Sequence, residues 1–111
     1  AERLCAEIGG RPVDAAHAAD LLVNCTAAGL AGAGDGLETL PVTREGVAEF
    51  GCVVDLVYGA VPTALVEAAR AAGVPSVDGR EVLVHQGALS LECWTGRAAP
   101  VDVMRRAVQL A

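Results

Sequence analysis

The sequence predicts an α/β fold, a parallel sheet joined by crossover helices, and three observations carry that prediction. Short, nearly continuous apolar runs alternate with helical patterns. The helical patterns stop at glycines. The apolar residues are mostly Val, Leu and Ala, with one Trp, one Tyr and one Phe in 111 residues. Strands covered on both faces read as unbroken apolar runs, and small aliphatic side chains suit helices laid over a parallel sheet.

In chain order, Leu4, Cys5 and Ile8 form a helical stripe over residues 1–8, which Gly9-Gly10 can end in a left-handed conformation. No Ser, Thr, Asp or Asn caps it, so the chain reads as beginning inside a helix. Residues 20–26, Asp-Leu-Leu-Val-Asn-Cys-Thr, read as the first buried strand. Residues 30–41 are too glycine-rich for a regular element and read as a connection over ligand or solvent. Thr43 to Phe50 reads as a short helix capped by Thr43, and Cys52 to Tyr58 as the second strand. Thr63 caps a helix that runs to Ala72 and is ended by Gly73. Val74 to Val77 is a third, very short strand. Arg80 to Thr95 is a helix closed by Gly96. Pro100 to Leu110 is the last helix, with Val101, Met104, Val108 and Ala111 as its apolar stripe. In open sheets of this kind the ligand lies beyond the carboxyl ends of the strands, here Asn24-Cys25-Thr26, Leu56-Val57-Tyr58 and Asp78-Gly79.

Hydrophobic residues make up 53% and charged residues 20%, a globular composition whose length suits one modest core: a single domain or a piece of one. The net charge of −6 opposes binding to nucleic acid or an anionic membrane surface. Cys5, Cys25, Cys52 and Cys93 form no C-x-x-C pair, so buried free thiols are expected and no metal site. No apolar run is long enough to span a bilayer and no leader pattern opens the chain, which makes a cytoplasmic protein the default expectation.

Three segments read together, LLVNCTAAGL, VVDLVYGAVPTALVEAARAAGV and VDGREVLVHQGALSLECWTGRAAP, resemble the shikimate dehydrogenase family. The last is the most specific, with Asp-Gly, Val-His-Gln-Gly-Ala and Trp-Thr-Gly in order. The resemblance implies a partial Rossmann-like, three-layer α/β/α sheet lacking its first strands. Residues 1–111 would be the C-terminal part of the NADP-binding domain, in an enzyme that reduces 3-dehydroshikimate to shikimate with NADPH as a monomer or homodimer. It also implies that the catalytic Lys and Asp lie in a substrate domain outside this sequence, leaving no catalytic residue here, and that the phosphate-binding loop and the Asn-Arg-Thr segment are absent too. The glycines of LAGAGDGLETL lead to no immediate helix and form no G-x-G-x-x-G pattern, so they are rejected as that loop. The isolated chain is expected to be inactive. A different reading is a non-catalytic remnant whose exposed sheet edges serve interaction or oligomerisation.

Carried over by position, the resemblance implies that Leu56 contacts the nicotinamide half of the cofactor and that Tyr58 points to the shikimate ring. Strand alternation puts both on one face; Tyr58 can equally be a boundary tyrosine capping the core. Gly79 would let backbone approach the nicotinamide, or simply start a helix. Gln86, whose amide offers a donor and an acceptor to a polyol, sits with Val82, Leu83, Leu89 and Ser90; the alternative is a buried Gln bonded to backbone. Thr26 either reaches the cofactor or caps the turn after the first strand. His85 pairs with Glu81 one turn earlier, His17 is expected to be exposed, and Asp55 braces a nearby loop. Relative to the family, Gly59-Ala60 replaces the usual Asn-Pro and Arg80-Glu81 the commoner Leu-Gly, departures that bear on cofactor preference and on shikimate against quinate.

Overall fold

The computed structural model describes residues 2–30 and 36–110. Gly32 and Gly34 of the glycine-rich connection, and Ala111 of the last apolar stripe, lie outside the described residues. The elements are α1 (Glu2–Ile8), β1 (Leu22–Asn24), 3-10 turns at Leu37–Thr39 and Gly46–Glu49, β2 (Val53–Asp55), α2 (Ala64–Ala71), β3 (Ser76–Val77), α3 (Gly79–Thr95) and α4 (Val101–Leu110). The three strands form one parallel sheet in the order β1-β2-β3, with Leu22 beside Val53 beside Ser76 and Val23 beside Val54 beside Val77. The predicted α/β class and the parallel sheet are present.

Each strand is shorter than its apolar run: side chains end the first two, and the backbone that closes α2 delays the third. After Asn24 the amide of Thr26 turns to the Asn24 Oδ1, and after Asp55 the amide of Val57 turns to the Asp55 Oδ1, so each strand ends in a side-chain-capped bend. Before β3, the Val74 amide bonds back to the Ala69 carbonyl and finishes α2 instead of joining the sheet. The expected helix at Thr43 to Phe50 is one 3-10 turn, Gly46–Glu49. Thr43 Oγ1 accepts from the Gly46 amide across the turn that precedes it, the N-cap position itself being Glu45, and Phe50 is already extended and drops into the core with Val47.

Val47, Val53, Leu37, Leu65, Ala68 and Ala69 make the main core, so α2 and the second 3-10 turn cover one face of the sheet. On the other face Val23 and Val77 stay 42% and 38% exposed. The stripe of α1 is not used: Leu4 and Ile8 are exposed and no α1 residue is buried. The stripe of α4 is used, with Val101, Met104 and Val108 half-buried in packing that includes α3. Arg105 of α4 donates to both carboxylate oxygens of Glu81 on α3, at 2.8 and 3.1 Å. No helix among the described residues is long and apolar enough to cross a membrane.

Candidate functional site at the strand ends

The parallel register puts Asn24 directly beside Asp55. Both are buried polar residues, 4% and 0% exposed, so their hydrogen-bonding capacity must be met inside the protein. It is met mutually. Asn24 Nδ2 donates to Asp55 Oδ1 at 2.9 Å, the Val57 amide donates to the same oxygen at 3.0 Å, and Thr63 Oγ1 donates to Asp55 Oδ2 at 2.5 Å. Asn24 Oδ1 accepts from the hydroxyl and the amide of Thr26, at 2.7 and 3.0 Å. One carboxylate thus ties together the ends of β1 and β2 and the cap of α2, because Thr63 Oγ1 also accepts from the Val66 amide.

The start of α3 closes the site from the other side. Asp78 caps it by accepting from the Arg80 and Glu81 amides, and Gly79 is buried. A Cβ on Gly79 would stand 2.5 Å from the Val57 carbonyl oxygen and 2.7 Å from that of Leu56. Only glycine lets the helix begin this close to the strand end. Past that contact the backbone alternates, with Leu56 and Tyr58 exposed and Val57 buried between them. Tyr58, Val61, Asp78 and Arg80 help to line a hollow of about 40 Å³ there. Ligand pockets usually exceed about 300 Å³, so the hollow is a rim and not a complete cleft. Among the pockets of the described residues, one of about 610 Å³ between residues 15–17 and 37–49 lies on other elements and carries none of the predicted site residues.

Residues 79–109 match the family Shikimate 5'-dehydrogenase C-terminal domain. The chain is 48% identical over 90 residues to the shikimate dehydrogenase (NADP(+)) of Methanopyrus kandleri, covering 81% of this chain and 30% of that protein. It is 36% identical over 115 residues to the one of Halobacterium salinarum, covering 98% and 42%. The crystal structure of shikimate 5-dehydrogenase from Thermus thermophilus in complex with NADP(H) and shikimate superposes with a TM-score of 0.78 at 34% identity, over 99% of this chain and 41% of that one. This chain belongs to the shikimate dehydrogenase family, as a C-terminal portion. It spans less than half the length of these relatives.

Within that portion of a shikimate dehydrogenase, the fold brings Leu56, Tyr58 and Gly79 together at the end of β2. Thr26 lies at the neighbouring strand end with its hydroxyl engaged, donating to Asn24 and accepting from the Ala28 amide at 3.1 Å, so it caps the turn. Gln86 lies on the same helical face as Gly79, two turns along α3. It is exposed, and its Nε2 donates to the Leu83 carbonyl at 3.2 Å, so of the alternative reading the backbone bond is present and the burial is not. His85 pairs with Glu81 at 3.6 Å on the surface as expected, and His17 is exposed. The hydrogen bond from Arg105 holds the Glu81 carboxyl below its usual value; partial burial opposes this, and the charges of Arg105 and His85 add to it. Asp55 braces the strand-end loop as expected. All four cysteines are free, but none is buried as expected: Cys25 and Cys93 are exposed and Cys5 and Cys52 half-buried.

Two contributors escaped the sequence reading. Asn24 was placed at a ligand-facing strand end but given no role of its own, although a polar residue inside an apolar run, in register with Asp55, is the signal that could have found it. Arg80 registered only as a departure from the family pattern; its guanidinium Nη2 in fact donates to the Gly59 carbonyl, so the two departures touch.

Proposed function

We propose that this chain is the nicotinamide- and substrate-facing rim of an NADP-dependent shikimate dehydrogenase that interconverts 3-dehydroshikimate and shikimate. The observation that carries the reading is the packing of Gly79 against the Leu56 and Val57 carbonyls, which sets Leu56 and Tyr58 outward at the carboxyl end of the central strand. Leu56 offers an apolar surface to the nicotinamide ring. Tyr58 offers a hydroxyl at the edge of an apolar ring, suited to a polyol carboxylate or hydroxyl. Gln86 supplies an unburied amide from α3 for neighbouring ring hydroxyls.

The residues present fit the nicotinamide end of NADP and not its phosphates. The Arg80 and Glu81 amides at the start of α3 are taken by the Asp78 carboxylate, and the Val66 amide of α2 by Thr63, so these donors are engaged within the chain. Gly79 answers to the strand carbonyls, and its contribution to the cofactor is the shape of the rim. When bound, NADPH supplies the hydride; this chain orients ring and substrate, and the proton is handled outside it. The parent enzyme acts in the cytoplasm, where free thiols stay reduced, as a monomer or homodimer.

The test is enzymatic. The purified 111-residue chain is expected to form no NADPH from shikimate and NADP+, whereas the complete polypeptide that carries it does. Turnover by the short chain, or none by the complete polypeptide, would overturn the proposal. A second reading, in which the chain is a non-catalytic module that pairs with another copy, is favoured by the edge positions of β1 and β3 and the exposure of Val23 and Val77. A stable dimer of the short chain that is lost on Val23→Lys would support it.

A further inference from the structure

We infer that Arg80 is a positioning residue that sets the aim of Tyr58, and through it the selection of the substrate ring. For its functional consequence the inference rests on the reading above. Residues 56 and 57 are held on both sides: the Leu56 amide donates to the Asn24 carbonyl, the Val57 amide to Asp55, and Gly79 packs against both carbonyls. From Tyr58 to Pro62 that support stops. Among the described residues, the one hydrogen bond to this stretch is the donation from Arg80 Nη2 to the Gly59 carbonyl. Gly59 and Ala60 impose no ring constraint on the backbone, and a Cβ at Gly59 would meet only the Val61 carbonyl oxygen, at 3.8 Å, so no packing confines the turn on that side. Tyr58, 54% exposed, therefore leaves the sheet on a flexible pivot tethered from α3 by one arginine.

Arg80 is well placed for this. Its own amide is fixed by Asp78, it is half-buried, and it lines both the hollow with Tyr58 and a second hollow of about 100 Å³ with Glu81, Val84 and Arg105. The guanidinium is a rigid fork with several donors, so one N–H can hold the carbonyl while the others stay hydrated.

Tyr58 is the one tyrosine in the sequence, so a chain grown with 3-fluorotyrosine gives a single fluorine resonance from this side chain. Arg80→Leu is expected to shift and broaden that resonance while the far-ultraviolet circular dichroism and Trp94 emission stay unchanged, and Arg80→Lys, which keeps a donor, is expected to recover part of the shift. An unmoved resonance in Arg80→Leu overturns the inference. If Arg80→Leu loses its helical signal, Arg80→Gln decides on the same resonance. In the complete polypeptide, Arg80→Leu is expected to raise KM for shikimate about three- to tenfold, the worth of one hydrogen bond, with kcat and KM for NADP+ held within about twofold. A rise in KM for NADP+ alone overturns the inference. Absence of shikimate oxidation in the unmutated polypeptide instead overturns the proposed function, and the fluorine resonance still decides the role of Arg80.

Discussion

Replacing Gly79 by alanine puts a methyl carbon 2.5 Å from the Val57 carbonyl oxygen, 2.7 Å from that of Leu56 and 2.7 Å from the Val57 carbonyl carbon. Ordinary carbon–oxygen contact needs nearly another ångström, and all three atoms are backbone, so no side-chain rotation relieves the overlap. Overpacking of this kind costs about 1–3 kcal/mol. Against it stands the helical preference of alanine over glycine, worth up to about 1 kcal/mol in a helix interior and less in the first turn. The clash wins, by about 1–2 kcal/mol, which for a domain of this size lowers Tm by roughly 5–10 °C. Gly87, on the same helix, is the control: a Cβ there meets only the flexible Met104 Cε, at 3.2 Å. Gly87→Ala is expected to be neutral or stabilising. Thermal unfolding followed by circular dichroism at the helical band compares the two. A Gly79→Ala protein as stable as its parent, or a Gly87→Ala protein destabilised as strongly, would refute the reasoning.

Asp55→Ala leaves the Asn24 amide, the Val57 amide and the Thr63 hydroxyl without their acceptor in a buried place, so urea unfolding should show a loss of at least about 3 kcal/mol. Glu81→Gln tests the α3–α4 clasp through pH. The folded pKa of Glu81 is lowered, so its stabilisation is present above the unfolded carboxylate range and is lost as pH falls through the folded value. The stability difference between parent and Glu81→Gln should therefore be larger at pH 7 than at pH 3; a difference independent of pH would contradict the clasp. Gln86 is exposed and bonded only to its own helix, so Gln86→Ala in the complete polypeptide should leave Tm unchanged while raising KM for shikimate. An unchanged KM would remove Gln86 from the site.

The order of elements was legible because it is written in period and punctuation: Thr63 and Gly73 bracket α2, and Gly96 closes α3, in the left-handed conformation a glycine allows. Strand length was not legible, because a run of apolar residues says where a strand can lie and not where its last amide turns away to Asn24 or Asp55. The stripe of α1 misled for a related reason. Leu4 and Ile8 have helical spacing but no partner surface among the described residues, and spacing specifies a face without specifying what it meets. At the site, alternation correctly placed Leu56 and Tyr58 together outward. The meeting of Arg80 with Gly59 joins residues 21 positions apart and follows from the packing of α3 on the strand end, which no local pattern encodes.

The two fixtures of the strand end divide the consequences of mutation. Asp55 holds the Val57 amide from inside the sheet, and Gly79 abuts the Leu56 and Val57 carbonyls from α3, so either change displaces the surface proposed for the nicotinamide as well as the pivot of Tyr58. Changes there should move kcat and KM together, because a misplaced ring loses transition-state orientation as well as binding. Tyr58 lies beyond both fixtures, on backbone whose one tether comes from Arg80, and changes at either residue should reach substrate KM while the surface proposed for the cofactor stays in place. A Tyr58→Phe polypeptide with reduced kcat, unchanged KM for shikimate and weakened NADP+ binding would break this division, since it would put the hydroxyl on the cofactor's side of the rim.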